Sequence, residues 1–434
     1  MPSERSVAVM AGLVVGSGFL FNFVARGVVD TFMVFILPLE DEFGWSRSAL
    51  TGVYSVYLIA AGLCSPLAGS LLDRWGPRVT YTTGMLTLAA GMYAASVADQ
   101  LWQIYLFHGV LGGVSAACLG IVPAAALIGR WFNRKLSLAI AFAYAGFGSG
   151  ILVIVPLTQS FIDAEGWRGA YRALGLGIMM LLPLAVFLPW NRIAQGNPLV
   201  STAFTDRRTQ DRKTGSSAAS EGWTVPTAMK TREFWLLVQC FFFTACSTYS
   251  VVVQTVSFLV DEGYPPIEAA FAFGTSGILS IVGVLCSGWL ATRFGFRFTT
   301  TLSFGATLIG VFALLAFSFT RLDLLVALYV LAFGISQGAR GPVISTLSAR
   351  IFANGRVGTI FGAIFMTMSF GSALGAWVTG FLHDLTGDYR AAFVFSAASV
   401  VGAVAPFWFS ARLVNPGPLP WPPQQLQIRR VPLA

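Results

Sequence analysis

The chain has 434 residues, of which 56% are hydrophobic and only 11% charged, with a formal net charge of +8. A soluble protein needs roughly a quarter of its residues charged to cover its surface, so these proportions exclude one and point to an integral membrane protein. In such a chain the excess of Arg and Lys reports loop orientation rather than a nucleic-acid partner.

A membrane helix needs about 20 apolar residues, whereas a barrel strand needs about ten with apolar and polar positions alternating. The apolar runs are long and do not alternate, so the fold class is all-α. Runs and turn signals place twelve transmembrane helices at 8–38, 48–72, 79–98, 101–129, 137–162, 168–190, 233–260, 267–290, 298–319, 323–349, 357–383 and 390–411. The first run is too long for a signal peptide and is read as a retained helix. Arg74, Arg78, Arg130, Arg134, Lys135, Arg293 and Arg297 fall on the side of the N-terminus, while Glu40, Asp41, Glu42, Asp261 and Glu262 crowd the other. This charge pattern predicts both termini in the cytoplasm.

Residues 191–232 form the one long polar segment, rich in Ser, Thr, Arg and Asp. The predicted organisation is an N-terminal six-helix half over 1–190, a cytoplasmic linker over 191–232, a C-terminal six-helix half over 233–411 and a disordered cytoplasmic tail over 412–434. The prolines between Pro416 and Pro423 bar a helix from that tail. Glycines four apart at 146 and 150 and at 371 and 375 allow helices to approach closely.

Between the second and third helices lies Gly69-Ser-Leu-Leu-Asp73-Arg74-Trp75-Gly76-Pro77-Arg78, a charged turn suited to a gate. About 220 residues later Gly288, Arg293, Gly295 and Arg297 answer Gly69, Arg74, Gly76 and Arg78, with Thr292 in place of Asp73. Trp167-Arg168 is echoed in the same way by Tyr389-Arg390. Two parallel halves related about the membrane normal are what such a repeat implies.

The Gly-acid-Arg-Gly loop and its weaker second copy resemble the signature of the major facilitator superfamily. Further motifs narrow the resemblance: Glu42-Phe-Gly-Trp45-Ser-Arg47, Arg130-Trp-Phe-Asn-Arg-Lys135, Ala145-Gly-Phe-Gly-Ser-Gly150 and Gly166-Trp-Arg-Gly-Ala-Tyr171. Together they look like the monocarboxylate transporter branch and its bacterial relatives, which include oxalate and formate exchangers. The resemblance implies twelve transmembrane helices in two pseudo-symmetric six-helix halves, in a bacterial inner membrane. Animal members carry a lysine late in the first span and an aspartate and arginine in the eighth. Here Asp30 stands at the lysine position, and Ile278 to Gly288 of the eighth span has no ionisable residue.

Charge inside a bilayer is costly, so ionisable residues deep in a span mark candidate function. Arg26 and Asp30 lie four apart on one helical face, within pairing reach. Arg340, beside Gln337 and flanked by glycine and proline, offers a planar fork suited to a carboxylate. His108 and Asp30 are candidate proton carriers. Tyr54, Tyr57, Tyr249, Gln254 and Gln337 are candidates to line the cavity with hydroxyls and amides. The five cysteines lie in apolar runs without metal-ligand spacing, and no Gly-Lys phosphate loop occurs. No metal, cofactor or enzymatic activity is implied.

The sequence therefore predicts a secondary active transporter of a small organic anion, a mono- or dicarboxylate, working as a monomer by proton symport or anion exchange. Arg340 would hold the solute with help from Arg26. The rival readings are a proton-coupled exporter of larger amphipathic compounds and a transport-fold sensor or scaffold using the linker or tail.

Overall fold

The computed structural model describes residues 4–132, 136–196, 223–338, 340–352 and 357–414. The central part of the linker, the tail beyond residue 414 and Asn133, Arg134 and Lys135 of the loop motif lie outside the described residues. Among the described residues every regular element is helical.

Among the described residues, nine helices are long and apolar enough to cross a membrane. Two of them, Arg47–Ala95 and Phe142–Phe187, each hold two spans, reversing at Gly76 and Gly166 where φ is positive. With the shorter apolar helix Asp323–Gly338 they make the twelve spans of the sequence reading. Span 1 is Glu4–Val29 continued by Phe32–Phe43, spans 2 and 3 are Arg47–Ala95, span 4 runs Leu101–Gly129, and spans 5 and 6 are Leu136–Phe187. Span 7 is Arg232–Val252 continued by Thr255–Asp261, spans 8 and 9 are Pro266–Thr320, and span 10 is Asp323–Gly338 continued by Arg340–Ile351. Spans 11 and 12 are Val357–Thr386 and Arg390–Phe409.

The repeat is written into the backbone. Positive φ occurs at Gly44 and Gly263, at Gly76 and Gly295, and at Gly166 and Gly387. Each pair is about 220 residues apart and reverses the chain at the equivalent place in each half. A side chain carrying Cβ is strained in that region of φ, which is why the turns keep glycine. Spans 1 and 7 break at matching depth, at Asp30–Thr31 and Val253–Gln254. Gly146 and Gly150 of span 5 lie against the backbone of Phe19 and Phe23 in span 1, and Gly371 and Gly375 of span 11 lie against Phe242 and Cys246 in span 7. Lipid supplies no hydrophobic drive between helices, so such close approach is how they gain contact.

Odd-numbered spans of the first half begin, and even-numbered ones end, at the face carrying the chain's ends, called here the terminal face; the opposite one is the far face. The linker is anchored at both of its described ends. Its ends form the short helices Trp190–Gln195 and Val225–Ala228, bury Ile193 and Trp223, and receive a 2.8 Å hydrogen bond from Trp131 Nε1 at the Ile193 carbonyl.

Candidate functional site

A cavity of about 350 Å³ lies between the two halves. At mid-depth it is lined by Arg26, Tyr57, Tyr249 and Gln337, and towards the terminal face by residues such as Ser65, Val122 and Met368. Arg26 comes from span 1 one turn before its break, Tyr57 from span 2 and Tyr249 from span 7 just before that helix breaks.

These side chains form one connected cluster. Arg26 Nε pairs with Asp30 Oδ2 at 2.7 Å, the contact that their four-residue spacing favours. Its two terminal nitrogens donate to Tyr57 Oη at 3.3 Å and Tyr249 Oη at 2.9 Å, and Tyr54 donates its hydroxyl to Asp30 Oδ1 at 2.6 Å. The Asp30 side chain is 1% exposed, whereas Arg26 is 21% exposed and faces the cavity. A guanidinium has five N–H donors, and three are engaged here. Because Tyr57 and Tyr249 accept from Arg26, their own hydroxyl protons remain to be donated. Two N–H groups and two phenolic O–H groups at one end of a cavity form a recognition set for a carboxylate.

The remaining candidates from the sequence are placed elsewhere. Arg340 is 4% exposed and absent from the cavity lining. It donates to Thr248 of span 7 at 3.2 Å and to Thr307 of span 9, and its guanidinium lies 4.7 Å from the centroid of Phe304. Its neighbour Gln337 does line the cavity, so span 10 turns the two residues to different surroundings. Gln254 is fully buried at the break of span 7, and neither its Oε1 nor its Nε2 has a hydrogen-bond partner among the described residues. His108 is also fully buried. Its Nε2 lies 3.1 Å from the Val29 carbonyl, which can only accept, so Nε2 carries the proton; Nδ1 then accepts from Tyr171 Oη at 3.1 Å. The imidazole is thus satisfied as a neutral group that ties spans 4 and 6 to the break of span 1.

The gating loop is solvent-exposed at Asp73, Arg74 and Arg78. Asp73 lies 3.7 Å from Arg130 of its own half, and Gly76 supplies the reversal with φ of 81°.

The far face holds a cluster that the sequence reading did not single out. Arg47, at the start of span 2 and 4% exposed, donates to Asp261 of span 7 at 3.1 Å, to Tyr389 before span 12 at 2.9 Å, and to Glu40 at the end of span 1. Tyr389 in turn donates to Asp261, and burial pushes its phenol well above the usual tyrosine range, which keeps it a donor. Asp384 of span 11 accepts from the backbone N–H groups of Arg47 and Ser48 at 3.0 and 2.9 Å, capping the helix of the other half. Deeper in the same seam, Ser55 donates to the Ala373 carbonyl at 2.8 Å. The signal available in the sequence was a few arginines, Arg47 among them, amid the acids of that face.

The family model of the Major Facilitator Superfamily matches residues 17–366. The chain belongs to this superfamily. Its members are transporters rather than enzymes, and the chain is an integral membrane protein with a small-molecule substrate. Among curated proteins it is 28% identical over 387 residues to monocarboxylate transporter 13 of Rattus norvegicus, covering 89% of this chain and 85% of the relative. It is 26% identical to monocarboxylate transporter 12 of the same species, covering 90% and 83%, and 25% identical to monocarboxylate transporter 11 of Homo sapiens, covering 90% and 80%. The crystal structure of a D-xylose-proton symporter superposes with a TM-score of 0.70 at 14% identity, covering 94% of this chain and 98% of that one. A nucleoside transporter superposes with a TM-score of 0.69, also at 14% identity, over 92% and 100%. At that identity the two structures speak for the fold alone. Within the superfamily the chain falls in the monocarboxylate transporter-like branch.

Proposed function

We propose that this facilitator moves a monocarboxylate by alternating access, with Arg26 holding the carboxylate and Asp30 carrying an accompanying proton. The observation that carries the reading is that Arg26 both faces the cavity and is ion-paired with a buried acid one helical turn away. The empty site is neutral, since one cation balances one carboxylate. A monoanion entering alone leaves one charge unbalanced at mid-membrane, which costs at least ~3 kcal/mol even on the lenient insertion scale. A proton on Asp30 restores neutrality and releases Arg26 Nε to the substrate. Solute and proton therefore load together, and a loaded site can also return with another anion, which is exchange. The names of the curated relatives support a carboxylate.

With both termini in the cytoplasm, as the charge pattern favours, the cavity lies on the cytoplasmic side and the Arg47 cluster closes the outer one. Asp73, Arg74 and Arg78 then act in the opposite state, in which the cytoplasmic face closes.

The test is uptake of labelled mono- and dicarboxylates into liposomes holding the purified protein, with and without an inward proton gradient. Arg26→Gln removes charge-assisted bonds worth about 2–3 kcal/mol, so uptake should fall roughly a hundredfold. The neutral pair Arg26→Gln with Asp30→Asn guards against a folding defect from an orphaned acid. Normal carboxylate uptake by either variant would overturn the reading.

A further inference from the structure

Resting on the carboxylate reading of Arg26, we infer that the substrate is an amphipathic monocarboxylate whose apolar body is longer than that of a two- or three-carbon acid, lodged between spans 5 and 11. The rest of the cavity lining carries this inference. Arg26 is the one charged residue among the described residues that line it. The second deep cation, Arg340, is occupied by Thr248 and Thr307 outside the lining, so a second carboxylate on the same solute finds no counter-charge.

Three of the four serines in the lining also spend their protons. Ser65 donates to the Ala61 carbonyl at 2.7 Å, Ser280 to Gly277 at 2.7 Å and Ser372 to Met368 at 2.8 Å, each within its own helix. Beyond the Arg26 end, the walls include Phe147 and Ile151 of span 5, Phe365 and Met368 of span 11, and Leu58 and Val122. Pockets of a few hundred Å³ that bind small molecules have this make-up: apolar walls for the body and a few converging polar groups for orientation. Methionine adds a side chain that adapts to different apolar shapes. A two-carbon acid anchored on Arg26 leaves those walls unused, whereas an alkyl or arylalkyl carboxylate covers them.

The experiment measures binding to the full-length protein in lipid nanodiscs by calorimetry, using the straight-chain acids from acetate to octanoate, 3-phenylpropionate, and the dicarboxylates oxalate and adipate. Affinity is expected to rise about fourfold per added methylene beyond propionate, the ratio given by ~0.8 kcal/mol per buried methylene. Adipate is expected to bind at least tenfold more weakly than hexanoate. Phe365→Ser should flatten the chain-length slope, and Phe365→Leu should keep most of it. In the double variant Arg26→Gln with Asp30→Asn every acid should bind roughly a hundredfold more weakly, which separates site binding from partition into lipid.

A flat slope with acetate binding still dependent on Arg26, or adipate binding as tightly as hexanoate, overturns this inference and leaves the carboxylate reading standing. Absence of binding for every carboxylate overturns both.

Discussion

Asp30 is held by two partners of different strength, a guanidinium at 2.7 Å and a tyrosine hydroxyl at 2.6 Å, in a place that water does not reach. In the proposed cycle a solute carboxylate takes over Arg26, the tyrosine alone cannot balance the charge left on Asp30, and a proton is taken up in compensation. Asp30→Asn removes the titratable group while keeping a polar side chain of the same shape. It should abolish accumulation driven by a proton gradient while retaining exchange of internal for external solute; accumulation that persists in this variant would remove Asp30 from the coupling step. His108 enters this argument only as a brace, because both of its nitrogens are used in the neutral form. The sequence made the Arg26 and Asp30 pair legible, because four-residue spacing in a helix fixes a shared face whatever the tertiary structure. It could not show which deep arginine meets the cavity. Arg340 and Gln337 are three residues apart, a spacing that favours a shared helical face, yet only Gln337 lines the cavity.

The helices themselves were readable from hydropathy to within a few residues, because a bilayer dictates span length and apolar content. Their breaks were not. Span 1 divides at Asp30–Thr31 and span 7 at Val253–Gln254, in runs whose composition gives no helix-stopping signal. The break in span 1 leaves the Val29 carbonyl to accept from His108, and the one in span 7 lets Thr255 Oγ1 donate to the Val251 carbonyl and meet Tyr329 Oη at 2.8 Å. Contact between the halves depends on helices without side chains in the way. Gly148 of span 5 crosses Gly277 of span 8 so closely that an added Cβ would lie 2.8 Å from the Gly277 carbonyl carbon and 2.9 Å from Ile278 Cα. Backbone atoms cannot rotate aside, so Gly148→Val should force the two helices apart and reduce uptake more than tenfold, the scale of a 1–3 kcal/mol overpacking strain. Gly305→Ala in span 9, where a Cβ meets nothing within 4 Å, is the control and should transport normally. Full transport by Gly148→Val would mean that the crossing opens without cost.

At the scale of the whole molecule, the proposed alternating access makes the clamped far face and the cavity on the terminal side one state of a two-state cycle. Arg47 joins span 2 to spans 1 and 7 and to Tyr389 ahead of span 12, and Asp384 caps span 2 from span 11, so the far face cannot open while these contacts hold. Arg47 is 4% exposed while Glu40 and Asp261 are 30% and 37% exposed, so losing its charge-assisted hydrogen bonds costs ~1.5–3 kcal/mol. A penalty borne by one state alone shifts the equilibrium towards the other by tenfold or more. Thr51, one turn below Arg47 and fully buried beside Gly380, reports that opening. In a background with the five native cysteines replaced, Thr51→Cys should react slowly with a membrane-impermeant maleimide added from the far face. Adding Arg47→Gln or Asp384→Asn should speed the reaction at least tenfold. The two variants act on different contacts, a side-chain ion-pair cluster and a helix cap, so acceleration in both locates the latch in the seam rather than in one bond. Unchanged labelling in both would mean that the far face is held shut by the glycine crossings beneath, and the barrier to alternation would then lie at Gly148 and Gly277.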